Sequence, residues 1–389
     1  MIHLDRITEN IKSIRGRTGS DRLICAPVKA DAYGHGTIQI ARASLKAGAD
    51  YLGIAAVSEG IELRKEGIEA PVLLFSQPHP EEIPRIIKEN LIPFISDADF
   101  ADALNEKAAL ANKKLQVHIK IDTGMRRIGC KADESLTLAR KIASCQGLEL
   151  TGIATHLAVS DSTDERDIEY TKKQLEIFKN AVDAIKAAGI NPGIIHAANS
   201  GAIILHPDSW LDMVRPGIML YGYKTAEESG APEEHYVSLK KLRPLNVKPV
   251  MELRSVVTLI KKVKKGEPVS YGGTWKAEED TFIAILPAGY ADGFTRLASN
   301  NWSVLINGEY YPIAGRICMD QCCVNLGPRP KVKRWDEAVI FGMNGADSAD
   351  NAKLKHDAAA LAEITGTIPN EITCNISRRV PREYKPHCL

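Results

Sequence analysis

Up to about Tyr221 the chain repeats one pattern, and that pattern restricts its fold more than any other feature. A short apolar run rich in Val, Ile and Leu is followed by a longer amphipathic stretch. The runs are RLICAPVK (22–29), DYLGIAAV (50–57), PVLLF (71–75), IPFIS (92–96), QVHIKID (116–122), LTGIATH (150–156), GIIHAA (193–198) and MVRPGIML (213–220). Between them lie helix-patterned segments such as TIQIARASLKAGA, SEGIELRKEG, DESLTLARKIASCQG and TKKQLEIFKNAVDAIKAAG; the last two end on glycine, as helices often do. Continuous apolar strands are what a parallel sheet covered on both faces produces. Eight strand–helix units predict an N-terminal (β/α)8 TIM-type barrel, with an open doubly wound sheet as the competing layout. The count of eight and the length of 389 residues favour the barrel.

The pattern then changes. TAEESGAPEEHYVSLKKLRPLN (225–246) is polar and irregular and reads as a linker. Strand-like runs follow at 250–263, 281–289, 302–315, 318–326 and 337–342. Asn307-Gly308, between two apolar stretches, is a hairpin signal. A helix is expected near 352–364 and a last strand over EITCNISRRVPREY (371–384). The expected division is therefore 1–232 as barrel and 233–389 as a mostly antiparallel β domain.

The net charge of +1 gives no electrostatic reason to expect nucleic acid or a membrane surface as partner. The opening MIHLDRITENIKSIRGR carries no signal-peptide apolar block, and no apolar run is long enough to span a bilayer, so a cytoplasmic protein is expected. The eight cysteines, Cys25, Cys130, Cys145, Cys318, Cys322, Cys323, Cys374 and Cys388, include no CxxC pair and are expected to be thiols. Adjacent Cys322 and Cys323 would point to opposite faces of a strand, which makes a poor chelate, so no metal is expected.

Chemistry on such a barrel sits at the C-terminal ends of the strands. That rule selects Lys29, then Lys120, Asp122 and Arg127 in KIDTGMRRIG, then His156, then His196, Asn199 and Ser200 in HAANSGA, and finally Arg215 with Pro216 and Gly217. Buried cations cost free energy unless paired, so five polar strand ends point to an anionic or electron-rich ligand. NSGA before an apolar helix offers a hydroxyl and free N–H groups to a phosphate. A lysine beside a phosphate seat suits pyridoxal phosphate, which needs an amine to link, a phosphate cradle and a ring-nitrogen partner. Phosphate-sugar enzymes use similar features, so these residues alone leave both readings open.

Taken together and in order, VKADAYGHG, KIDTGMRRIG, THLAVSD, HAANSGA, MVRPGIMLYG, SYGGTW, LPAGYADGF, AGRICMDQ and RVPREY resemble the alanine racemases over nearly the whole chain. The resemblance implies a homodimer with shared active sites that binds pyridoxal 5′-phosphate, acts on a small amino acid and makes D-alanine for cell-wall precursors. Lys29 would link the cofactor and serve as one base, and Tyr271, in the second domain, would serve as the other from the partner subunit. Tyr33, Ser200, Gly217 and Ile218 would hold the phosphate, Arg215 would face the ring nitrogen, and His156 would lie near the ring and Tyr271. Arg127 and the Met319 N–H would contact the substrate carboxylate, and Tyr290 would line the entrance. Lys120 would be carbamylated and orient Arg127; the alternative is an unmodified amine paired with Asp122. His35 is expected to make a structural hydrogen bond.

Two departures from the family pattern stand out. The usual Trp-containing strand at the start is missing or reduced to Met1-Ile2. Before RVPR the family carries a tyrosine that touches the phosphate, where this chain has Arg378. Arg378 would bind the phosphate, reach the substrate pocket and favour a larger or acidic side chain, or point to solvent. A racemase of the same family for serine, basic or acidic amino acids is therefore the second reading. A non-catalytic pyridoxal-phosphate-binding protein is a further alternative, which SYGGTW and CMDQ argue against, and a decarboxylase of the same fold is another, whose usual Cys/Asp site signatures are not evident.

Overall fold

The computed structural model describes residues 1–342 and 356–385. The first residues of the helix expected near 352–364, and Cys388, lie outside that range. The described chain forms two compact units. One comprises Asp5–Ala32 and Gly36–Lys248; the other comprises Met1–Leu4, Tyr33–His35 and Pro249–Leu389.

In the first unit the eight apolar runs are the eight strands of a parallel barrel: β1 Leu23–Pro27, β2 Tyr51–Ile54, β3 Val72–Leu74, β4 Ile92–Ile95, β5 Leu115–Asp122, β6 Leu148–Ala154, β7 Ile194–His196 and β8 Met213–Val214. The hydrogen-bonded order runs β8-β1-β2-β3-β4-β5-β6-β7, every pair parallel. Asp212 bridges the remaining seam: its N–H donates to the Ile195 carbonyl (3.0 Å) and its carboxylate accepts from the Ile195 N–H (2.8 Å). The longest helix, Glu165–Ala187, buries Ile168, Thr171, Leu175, Phe178, Val182 and Ile185, the three- and four-residue spacing that places one stripe against the sheet.

Residues 225–246 are more ordered than a linker. Glu233–Leu239 is a helix, and Leu239 and Leu245 are buried. The buried Arg17 ties the segment down by donating to the Arg243 and Ile204 carbonyls and pairing with Glu228 at 3.0 Å. Polar composition here reflects one covered face on an otherwise solvated segment.

The second unit is mostly antiparallel. Strands β9 Leu253–Val256, β10 Leu259–Val263, β11 Thr281–Leu286, β12 Ser303–Ile306, β13 Glu309–Pro312, β14 Cys322–Gly327 and β15 Glu337–Phe341 form a four-stranded sheet (β9-β15-β12-β13) and a three-stranded sheet (β10-β11-β14). Asn307 and Gly308 join β12 to β13 with φ of 51° and 83°, the two positive values a tight primed hairpin turn requires. A helix spans Ala358–Thr365, capped by Asp357 and ended by Gly366 at φ 71°. The strand expected over 371–384 is not formed. Pro369–Cys374 is a helix: Pro369 suits its first turn, and the helical backbone brings the Pro369 and Asn370 carbonyls within reach of the Thr373 hydroxyl, which donates to both. Tyr384–Lys385 instead pairs with Ile2–His3, so a two-residue strand is present at the start of the chain.

Candidate active site

Lys29 follows β1 directly and opens a helical turn, Lys29–Gly34, of uncommon hand. Ala30, Asp31, Ala32 and Tyr33 have φ of 54°, 54°, 51° and 55°, and Gly34 has 83°, so the turn winds left-handed. Each non-glycine residue held this way costs about 1–2 kcal/mol. Several contacts sustain it. The Ala30 N–H donates to Glu59 Oε1 (2.6 Å), the Ala32 N–H to the Val28 carbonyl (2.9 Å), and Asp31 Oδ1 accepts from the Thr37 N–H (3.0 Å) at the start of the next helix. In the second unit a Cβ on Gly34 would lie 2.0 Å from the Thr373 carbonyl oxygen, so only glycine fits. Arg382 Nε and NH2 donate to the Gly34 carbonyl (3.2 and 3.1 Å). His35 Nδ1 donates to the Tyr33 carbonyl (2.9 Å), a structural bond.

At the other strand ends the barrel gathers cations. Arg215 is buried and donates to His196 Nδ1 (2.7 Å), to the Thr155 and Ala197 carbonyls (2.8 and 2.9 Å) and, more weakly, to His156 Nδ1 (3.5 Å). Burial brings its pKa down to about 10. Because arginine only donates, these contacts fix the imidazole tautomers. His196 carries its proton on Nε2 and donates to His118 Nδ1 (2.9 Å), which leaves the His118 proton on Nε2. His156 likewise carries its proton on Nε2. Burial first, and Arg215 next, hold His118 at about 3 and His196 well below the usual histidine range. His156 is also held well below that range, by burial and then by Lys120, Arg215, Arg127 and Lys29. All three rings are neutral near pH 7.

Lys120 lies on the same face of β5 as His118 and is almost wholly buried, its Nζ 5.8 Å from the Phe94 ring centroid. Burial, Arg215 and Arg127 push its pKa well below the usual lysine value, against an opposing pull from Asp122. Asp122 does not pair with it; Oδ1 accepts from the Gly124 and Arg126 N–H groups (2.8 and 3.1 Å) and shapes the loop that carries the exposed Arg127. Among the described residues Lys120, Arg127 and Arg215 form no ion pair with a carboxylate.

After β7 the chain turns into a short helix that opens on a hydroxyl. Asn199 caps the helix Ser200–Leu205 by accepting from the Ala202 N–H (3.0 Å) and is itself held by Ser160 (2.7 Å). A Cβ on Gly201 would sit 2.7 Å from the Asp161 backbone nitrogen, so glycine permits this close approach. Ser200 Oγ accepts from the Met219 N–H (3.2 Å), placing its hydroxyl beside the helix Gly217–Leu220. The N–H groups of Gly217 and Ile218 begin that helix and have no acceptor within it.

In the second unit Tyr271 opens the turn Tyr271–Gly273 and is 69% exposed, and Met319 and Tyr290 are also exposed. Ser270, at φ 64°, sends its hydroxyl to the Arg316 carbonyl (2.5 Å) and fixes the turn. The Met319 N–H donates to no acceptor among the described residues. Arg378 is exposed and makes no ion pair there, whereas Arg379 pairs with Asp292 and Asp320.

These groups fit pyridoxal phosphate. The barrel presents a lysine at a strand end, cations lacking carboxylate partners, a hydroxyl with free N–H groups, and a buried donor-only guanidinium. Among the described residues no group of His, Cys, Asp and Glu could hold a metal ion, and no helix is long and apolar enough to cross a membrane.

Residues 2–225 match the family model for the alanine racemase N-terminal domain, and residues 250–384 match that for the alanine racemase C-terminal domain. The chain belongs to the alanine racemase family. It is 50% identical over 384 residues to the alanine racemase of Treponema denticola, covering 99% of this chain and 97% of that protein. It is 41% identical to the alanine racemase of Treponema pallidum, covering 99% and 98%. The solved alanine racemase of Clostridium difficile 630 superposes with a TM-score of 0.87 at 37% identity, covering 99% of this chain and 94% of that one.

For an alanine racemase, two residues of this site carry little sequence signal. His118 ends the proton-ordered chain through His196 to Arg215, and Gln174, on the buried face of the long helix, donates to Thr123 Oγ1 and the His156 carbonyl (both 3.3 Å). The register irregularity between Val117 and His118 in the β5–β6 pairing is a backbone mark of the first. A histidine two residues before Lys120, hence on its face, is the only sequence trace.

Proposed function

We propose that this alanine racemase interconverts L- and D-alanine in the cytoplasm on pyridoxal 5′-phosphate, as a homodimer, with Lys29 and Tyr271 moving protons on opposite faces of the α-carbon. The observation that carries the reading is the set of cations at the barrel mouth without carboxylate partners, adjoining Lys29 and the Ser200 seat. When bound, pyridoxal phosphate draws electrons from the α-carbon of the attached amino acid and makes its proton removable.

The Ser200 hydroxyl, the Gly217 and Ile218 N–H groups, Tyr33 and Arg378 hold the phosphate dianion. Arg215 would face the ring nitrogen; it stays charged near neutrality and cannot accept a hydrogen bond, so it would leave that nitrogen unprotonated. Lys29 Nζ takes or returns the α-proton on one face. The Tyr271 hydroxyl does so on the other, supplied by the partner copy; its exposure within one subunit supports that placement. The tautomer that Arg215 imposes on His156 leaves Nε2–H as a donor able to stabilise a phenolate. Arg127 and the Met319 N–H bind the substrate carboxylate, and Tyr290 lines the approach. Burial lowers the pKa of the Lys120 amine, which has no carboxylate partner among the described residues; a neutral amine there would add to carbon dioxide. The reaction forms an N–C bond and releases one proton, and the resulting carbamate pairs with Arg127. An unmodified ε-amine in a crystal structure would reject that assignment.

The test is solvent deuterium exchange at Cα together with loss of optical rotation from L-alanine. Wild type should do both, and Tyr271→Phe should lose about 10²–10⁴-fold in racemisation while retaining the cofactor absorbance. A Tyr271→Phe protein as fast as wild type in both directions would remove the two-base assignment. Wild type that binds cofactor but does not racemise alanine would remove the activity.

A further inference from the structure

We propose that Arg379 is a positioning residue for substrate binding, locking together the two loops that carry Tyr290 and Met319. The inference rests on the reading that Met319 and Tyr290 face the substrate.

Both loops lie in the second unit. Tyr290–Asp292 forms one turn, and residues 318–321 form another, closed by the Cys318 N–H to the Gln321 carbonyl (2.9 Å). The Tyr290 and Ala291 N–H groups donate to the Cys318 and Met319 carbonyls (3.1 and 3.0 Å). A Cβ on Gly289 would fall 2.3 Å from the Cys318 oxygen and 2.4 Å from the Met319 oxygen, so the backbones are in direct contact. The Met319 carbonyl is thus engaged, while its N–H donates to no acceptor among the described residues. Both hydrogen bonds run from the Tyr290–Ala291 backbone to the Cys318–Met319 backbone, and no side chain is part of either.

Arg379 supplies the side-chain link. Its Nε donates to Asp292 Oδ1 and its NH2 to Asp320 Oδ1, each at 2.7 Å. Asp292 is already fixed, since Oδ2 accepts from the Gly289 N–H (2.9 Å) and its carbonyl from the Ser377 N–H (3.1 Å). The segment that bears Arg379 is stiffened in turn by Arg382, which donates to the carbonyls of Ser377 (2.5 Å), Ile376 (2.7 Å) and Val380 (2.7 Å) as well as to Gly34. One guanidinium fork therefore spans an acid beside Tyr290 and an acid beside Met319. A lysine, with a single point of charge, cannot reproduce that span. The pairs are half-exposed and add little to stability. Their effect is on the relative placement of two substrate-facing groups, to which binding is sensitive.

The experiment compares wild type, Arg379→Ala, Arg379→Lys, Asp320→Asn and Met319→Pro as holoenzymes, measuring KM and kcat for both alanine enantiomers and the thermal midpoint. Arg379→Ala and Asp320→Asn should each raise KM about tenfold in both directions, with kcat within about threefold of wild type. An Arg379→Ala, Asp320→Asn double variant, measured alongside, should be no worse than either single one, and Arg379→Lys should fall between wild type and Arg379→Ala. Unchanged KM, or a kcat loss at constant KM that tracks a fallen midpoint, overturns the positioning role. Met319→Pro removes the N–H itself. If it raises KM while Arg379→Ala does not, the substrate contact stands and the clamp fails. If it leaves KM unchanged, the substrate contact fails and the clamp falls with it.

Discussion

The left-handed turn after Lys29 makes an unusual sign prediction for Ala30→Gly. In a right-handed helix this substitution destabilises by roughly 0.5–1 kcal/mol, because glycine has more freedom to lose on folding. At φ 54° alanine already bears about 1–2 kcal/mol of steric cost, which glycine does not. The Ala30 side chain is exposed, so no packing is lost, and its N–H bond to Glu59 is a backbone donor that glycine keeps. The difference leaves Ala30→Gly more stable by about 0.5–1 kcal/mol. That corresponds to a thermal midpoint higher by about 1–4 °C for a unit of this size.

Two companions bracket the result. Ala32→Gly relieves the same strain at φ 51° but loses a fully buried methyl, about 0.8 kcal/mol, and should be near neutral. Ala30→Val places a β-branched residue at positive φ and should lower the midpoint by more than Ala30→Gly raises it. Differential scanning calorimetry of the three holoenzymes at one scan rate measures all of this. If Ala30→Gly melts below wild type, the turn is not under left-handed strain in solution and the reasoning fails.

Gly152→Ala would place a Cβ 2.4–2.6 Å from the His118 ring, which must swing away from His196; we expect a loss of about 2–4 kcal/mol from overpacking and a broken buried hydrogen bond, read as a lower denaturant midpoint. For pH dependence, His118 and His206 have folded pKa values depressed from 6.5 to about 3 and about 4. Stability tied to a depressed pKa is full above 6.5 and is lost as pH falls toward the folded value, because the unfolded chain takes up the proton first. Each should therefore cost about 1 kcal/mol per pH unit between pH 6 and 5, and His206→Asn, away from the site, should flatten the urea-midpoint slope by that amount. An unchanged slope would count against a buried neutral His206.

The eight strands were readable because each is an uninterrupted apolar run, a local signal that survives without tertiary knowledge. The strand-end rule then brought Lys29, Lys120, His156, Ser200 and Arg215 into view. What stayed hidden depends on partners far along the chain. The hand of the 30–34 turn carries no periodicity; it follows from the fit of Gly34 against Thr373 and Arg382. Ile372 and Thr373 favour a strand locally, yet Pro369 at the first turn opens a helix there, in which Thr373 satisfies its hydroxyl on the Pro369 carbonyl. His118 looks like a core residue in an apolar strand until His196, 78 residues later, is placed against it.

The same charge pattern links stability to chemistry. A barrel mouth that buries the Arg215 guanidinium without a carboxylate is costly as a free protein, since that cation has given up water for partial compensation. Neutral histidine lone pairs, like the Thr155 and Ala197 carbonyls, adjoin that guanidinium without removing its charge. Arg215 enforces that neutrality by demanding lone pairs from His196 and His156, and each ring passes its proton outward. A carboxylate in either place would satisfy the guanidinium, lower the local potential and compete with the phosphate and the substrate carboxylate for the same cations. Histidine acceptors therefore hold Arg215 in place while leaving its charge uncompensated.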